Sequence, residues 1–158
     1  MRFKPAKQRG VAAIELGLLI AVLLVPLTFG VTELGRAVFQ YNILVKATRN
    51  ADRYLSTQGA GDLANLTIAR CLAVYGNRTC SGNALIPNLT TAMVSVTYVS
   101  SYPIADPAAP ITVNPLNPTG VLNLVTVSIS GYPFTSLVPF VVPSLNFGEI
   151  STTMRQVL

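Results

Sequence analysis

Two pairs of residues in this chain have types and spacings that could do chemistry. The first is Gly10 and Glu15, in Arg9-Gly10-Val11-Ala12-Ala13-Ile14-Glu15-Leu16, where a carboxylate follows a glycine by five positions inside an apolar run. A charge at the centre of a membrane segment costs roughly 2.5–3.5 kcal/mol on insertion scales, so a carboxylate kept there points to a function. The second pair is Cys71 and Cys80, nine positions apart with Gly76 and Asn77 between them. In an oxidising compartment that spacing favours a disulfide-closed turn.

Other chemistry has little support. The chain has no histidine and no third cysteine, which argues against zinc and leaves a serine or cysteine nucleophile without its usual base. Beyond the N-terminal helix the carboxylates are Asp62, Asp106 and Glu149, with no pairing legible from sequence. Gly59-Ala60-Gly61 reads as a linker, not a phosphate cradle. The expectation is a protein that is not an enzyme and takes no cofactor or metal.

The elements that position these residues follow from charge and periodicity. The formal charge is +5, but Arg2, Lys4, Lys7 and Arg9 lie in residues 1–10, and beyond them seven basic side chains face six acidic ones. The basicity belongs to a leader, which argues against a nucleic-acid partner. Basic residues ahead of an apolar run place the N-terminus in the cytoplasm and the remainder outside it. Residues 11–32 number 22, roughly 33 Å of helix, enough to span a hydrocarbon core. Past the span, Glu33 and Arg36 balance each other.

One helix is expected over residues 11–57. Val31, Leu34, Val38, Tyr41, Val45 and Thr48 recur every three or four positions, widened by Leu44, Ala47, Ala51, Tyr54 and Leu55. Arg36, Lys46, Arg49, Asp52 and Arg53 fall largely off that stripe. Pro26 either is a tolerated membrane proline or bends the helix for assembly. Gln58-Gly59-Ala60-Gly61 ends the helix. A shorter helix begins at the N-cap Asp62 and ends near Tyr75-Gly76-Asn77. Residues 93–102 and 121–130 alternate as strands, and residues 145–156 form a more polar third. Between the first two strands, residues 103–120 carry five prolines and read as a loop.

The fold class is α+β: a long N-terminal transmembrane and amphipathic helix packed on a small antiparallel sheet of about three strands, with a second short helix. The expected organisation is a leader over 1–10, a transmembrane segment over 11–32, an amphipathic continuation over 33–58 and an exported globular part over 59–158. Residues 131–145, GYPFTSLVPFVVPSL, are apolar for a connection, and three prolines argue against a strand or helix. They either fold back into the small core or form a sticky loop touching membrane or partner, with Phe134, Leu137, Val138, Phe140 and Val141 as the contact candidates.

A basic leader, glycine, four residues, glutamate and a long apolar helix resemble the processing region of type IV pilin-like proteins. Phe29-Gly30-Val31-Thr32-Glu33-Leu34-Gly35-Arg36, Ala69-Arg70-Cys71-Leu72-Ala73-Val74-Tyr75-Gly76-Asn77 and residues 125–134 with Tyr132-Pro133-Phe134 narrow the resemblance. Together they resemble the TadE family of minor pseudopilins of tight-adherence (Flp) pilus systems. Any one of these motifs is weak; four in order are strong.

The resemblance implies that a prepilin peptidase cuts after Gly10, making Val11 the new N-terminus. It implies that Glu15 pairs with the freed amine of a neighbouring subunit, each charge offsetting part of the other's desolvation. Read alone, Glu15 also suits a helix's first turn, favoured by the macrodipole and near enough to headgroups. The implied partners are the prepilin peptidase, a companion minor pseudopilin, the major pilin, the inner-membrane assembly platform and the lipid bilayer. The implied setting is a single pass through the bacterial inner membrane, with the C-terminal part extracytoplasmic, and a role in priming or joining an adhesive pilus. Val11 departs from the aromatic first residue of major type IV pilins, and the Cys71–Cys80 pair is a local addition to the family pattern. Two rival readings are a secreted binding module cut near Gly30 and a membrane anchor whose leader is never cut.

Overall fold

The computed structural model describes residues 9–104 and 120–157. Leader residues 1–8, and most of the proline-rich loop with Asp106, lie outside the described residues. By contacts the chain divides into two compact units, Met1–Val38 with Thr135–Ser144, and Phe39–Phe134 with Leu145–Leu158.

One helix, α1, runs over Arg9–Leu55 and contributes to both units. It continues through Pro26, whose missing N–H removes one rung of the hydrogen-bond ladder. The Thr28 and Thr32 hydroxyls donate back to the carbonyls of Val25 and Phe29, at 2.8 and 2.9 Å. A second helix, α2, spans Leu63–Tyr75 with both ends capped. The Asp62 carboxylate accepts from the Ala64 N–H at 2.9 Å. At the other end Gly76 takes φ 71°, and its N–H donates to the Leu72 carbonyl at 3.1 Å, closing the helix with a left-handed residue that favours glycine. The Cys71–Cys80 disulfide is formed, its Cα atoms 4.7 Å apart, tying α2 to the segment after it.

The sheet of the second unit is antiparallel, in the order β1 (Val94–Ile104), β2 (Gly120–Ile129), then β5 (Ile150–Arg155). Val94 pairs with Ile129, Val96 with Val127 and Tyr98 with Val125; on the other side Ile129 pairs with Ile150 and Val127 with Thr152. Period-2 alternation therefore puts one apolar row on a single face. Leu44, Ala47, Ala51 and Leu55 of α1, with Ala69, Ala73 and Val74 of α2, join that row in one buried core. The α1–β5 seam also carries a hydroxyl–hydroxyl bond of 3.0 Å between Thr48 and Thr152.

The α+β architecture matches the expectation, with three local differences. The polar third strand divides: β4 (Leu145–Asn146) pairs with β3 (Pro133–Phe134), and only β5 joins the main sheet. Between them Phe147 turns into an aromatic group with Tyr41, Tyr132 and Phe134, its ring centroid 5.7–5.9 Å from theirs. Pro133 enters a ladder despite its proline, which a two-residue strand tolerates. Finally, Val31, Leu34, Val38 and Tyr41 of the expected stripe are exposed, and the stripe is buried only from Leu44 onward.

Candidate functional site

The first unit holds the residues the sequence singled out for processing and assembly. Gly10 and Val11 lie in the first turn of α1, both exposed, and nothing lies within 4 Å of a Cβ added at Gly10. Glu15 is exposed on the same helix. The large apolar side chains around it, Val11, Ile14, Leu16, Leu18 and Leu19, are exposed too. The most apolar stretch of α1 is wholly unburied, and the helix is long and apolar enough to cross a membrane. By length and composition this stretch fits a single-pass membrane anchor.

Where the apolar run ends, the same unit builds a polar brace. Glu33 is only 4% exposed, and the Arg36 guanidinium lies 2.8 Å from its carboxylate. The Leu137 backbone N–H and the Ser136 hydroxyl also hydrogen-bond to Glu33. Arg36 donates in addition to the Thr135 carbonyl. A carboxylate sharing three donors with a guanidinium beside it is satisfied although buried. Sequence reasoning saw the Glu33/Arg36 charge balance but not the loop it holds, because those partners lie about a hundred residues away.

The loop candidates separate. Phe134 is 1% exposed and stacks on Phe147, so it belongs to the core. Leu137 and Phe140 are 75% and 84% exposed, while Val138 and Val141 are half-buried.

In the second unit the structure corrects one reading of the helix. Asp52, placed on the solvent side by periodicity, is fully buried, and neither carboxylate oxygen has a hydrogen-bond partner among the described residues. Burial pushes its carboxyl up to about 7. Tyr132, from the C-terminal motif, is buried and donates to the Pro87 carbonyl at 2.9 Å. A groove of about 570 Å³ is lined by Asn50, Arg53, Tyr54, Thr57 and Arg78 among others, with the Arg78 guanidinium 5.2 Å from the Tyr54 ring centroid. The described residues hold no cluster of His, Cys, Asp or Glu able to bind a metal ion.

Neither a curated protein nor a solved structure matches the chain. A protein family described as "TadE-like protein" matches residues 10–53, which run from Gly10 through the exposed apolar surface and the Glu33 brace to the buried part of α1. Over that helical part, 44 of the 158 residues, the chain is similar to TadE-like proteins, a family of the Tad/Flp pilus system.

Proposed function

We propose that this chain is a minor pseudopilin that primes or joins assembly of an adhesive Flp-type pilus. A prepilin peptidase cuts after Gly10, discarding the basic residues that orient the chain. The mature protein then starts at Val11 and crosses the inner membrane once over residues 11–32, with the sheet-bearing unit outside the cytoplasm. Its work is helix packing, not chemistry. The partners are a companion minor pseudopilin, the major pilin and the membrane assembly platform.

The observation that carries this reading is the bare surface of α1 over residues 11–27, apolar on all sides and interrupted there by the exposed carboxylate of Glu15. Four residues separate Glu15 from the amine that a cut after Gly10 would create. On a helix that spacing puts both groups on one face, where a neighbour's helix displaced along the fibre can pair its amine with this carboxylate. The family match over residues 10–53 supports the same assignment.

The test is the mass and N-terminal sequence of the protein recovered from the membrane. A Val11 start is expected. A Val31 start makes it a secreted module, and an intact Met1 makes it an uncut anchor; either overturns the reading. A Glu15→Ala variant that is cut and inserted normally but loses piliation supports the assembly role. Normal piliation with that variant ends it.

A further inference from the structure

We propose that the Thr135–Ser144 loop is a second membrane contact, resting Leu137 and Phe140 in the boundary between headgroups and acyl chains where α1 leaves the bilayer. The proposal relies on the membrane crossing of α1 given above. Its first support is the course of the loop along the helix. Thr135 is held by Arg36, Ser136 and Leu137 by Glu33, and Val141 packs on Gly30, 3.7 Å from where a Cβ would stand. As the loop advances, its contacts step back from position 36 to position 30. That is a descent of roughly 9 Å towards the apolar run.

Composition and hydrogen bonding fit that depth. No charged side chain occurs from Thr135 to Gly148. Leu137 and Phe140 are the two most exposed large side chains of the loop, and Leu27 and Phe29, within three residues of Gly30 on α1, are exposed apolar side chains too. Irregular backbone enters a membrane boundary only if its donors are satisfied. Here the Leu137 N–H bonds to Glu33 and the Val138 N–H to the Ser136 hydroxyl, while the Val141 and Val142 N–H groups share the Val138 carbonyl. Pro139 and Pro143 have no N–H to satisfy. Four of the loop's N–H groups thus have partners within the chain, and its two most exposed large side chains are both apolar.

The chain contains no tryptophan, so one introduced indole reports its own surroundings. The full chain would be reconstituted in phosphatidylethanolamine–phosphatidylglycerol vesicles as a Phe140→Trp variant, with Ile20→Trp marking the span and Leu137→Trp as a second probe of the loop. Brominated lipid and acrylamide serve as quenchers from the membrane and water sides. The expected result is blue-shifted emission from Phe140→Trp, quenched by brominated lipid to about half or more of the extent seen with Ile20→Trp. If Ile20→Trp is quenched by the lipid but both loop variants only by acrylamide, the loop contact is wrong and the anchor stands. Loop indoles shielded from both quenchers mean that protein covers the loop, which also overturns the proposal. If Ile20→Trp escapes the lipid quencher, the crossing itself fails and the loop contact with it.

Discussion

The Arg36 guanidinium joins two parts of the chain that are far apart in sequence, lying 2.8 Å from the Glu33 carboxylate and donating to the carbonyl of Thr135. Glu33 in turn accepts from Ser136 and Leu137, so one i,i+3 pair on α1 fixes the start of an apolar loop. Charge-assisted bonds of this kind are stronger than neutral ones, and removing the shared acceptor strands several donors at once.

Glu33→Ala is therefore expected to free the loop without unfolding the sheet. Amide hydrogen exchange at Leu137 and Val138 should rise roughly tenfold or more, while Val125 and Val127 of β2 keep their protection. Exchange that is unchanged at Leu137 would show that the loop is held by something other than this carboxylate.

Asp52 makes stability depend on pH. Near its ordinary value of 3.8 and below, the carboxyl is protonated whether the chain is folded or not. As pH rises from there to about 7 the unfolded chain ionises while the buried group does not, so the folded state loses ground. Above about 7 both states are ionised and the loss is complete, on the order of 4 kcal/mol. Asp52→Asn should match the wild type near pH 4 and exceed it at pH 8, measured by denaturant midpoint in detergent. Parallel curves for the two proteins across that range would contradict it.

Reducing the Cys71–Cys80 disulfide, or replacing both cysteines by serine, should cost about 2–3 kcal/mol through the freedom returned to the unfolded chain. Thermal unfolding of the full chain with and without reductant reads the effect. The capped α2 helix should persist in far-UV circular dichroism at room temperature.

Phe134 and Phe140 lie six positions apart and should answer truncation in opposite ways. Phe134→Ala removes a buried ring stacked on Phe147 and should cost about 3–5 kcal/mol. Phe140→Ala removes an exposed ring and should leave the denaturant midpoint within about 0.5 kcal/mol of wild type.

Local signals in the sequence carried far. Asp62 and Gly76 marked both ends of α2 because capping is decided within a few residues. Strict alternation placed β1 and β2 because each buries one face only. What depended on distant partners was not legible. Asp52 reads as a solvent-side charge within α1, and only folding buries it. Residues 145–156 read as one strand until Phe147 meets Tyr41, Tyr132 and Phe134, which no local window contains. The exposed stretch of the stripe at Val31, Leu34 and Val38 has the same period as the buried part, and periodicity alone does not say where a core stops.

The residues after β5 close over the end of α1: the Gln156 side chain donates to the carbonyls of Leu55 and Gln58, and the Val157 N–H donates to that of Ser56. Under tension, a pull on this helix would thus reach the sheet directly through those bonds and the Thr48–Thr152 seam, without first stretching the glycine turn after Gln58. The end of the helix and the sheet should yield as one mechanical element, which single-molecule stretching would register as one rupture rather than two.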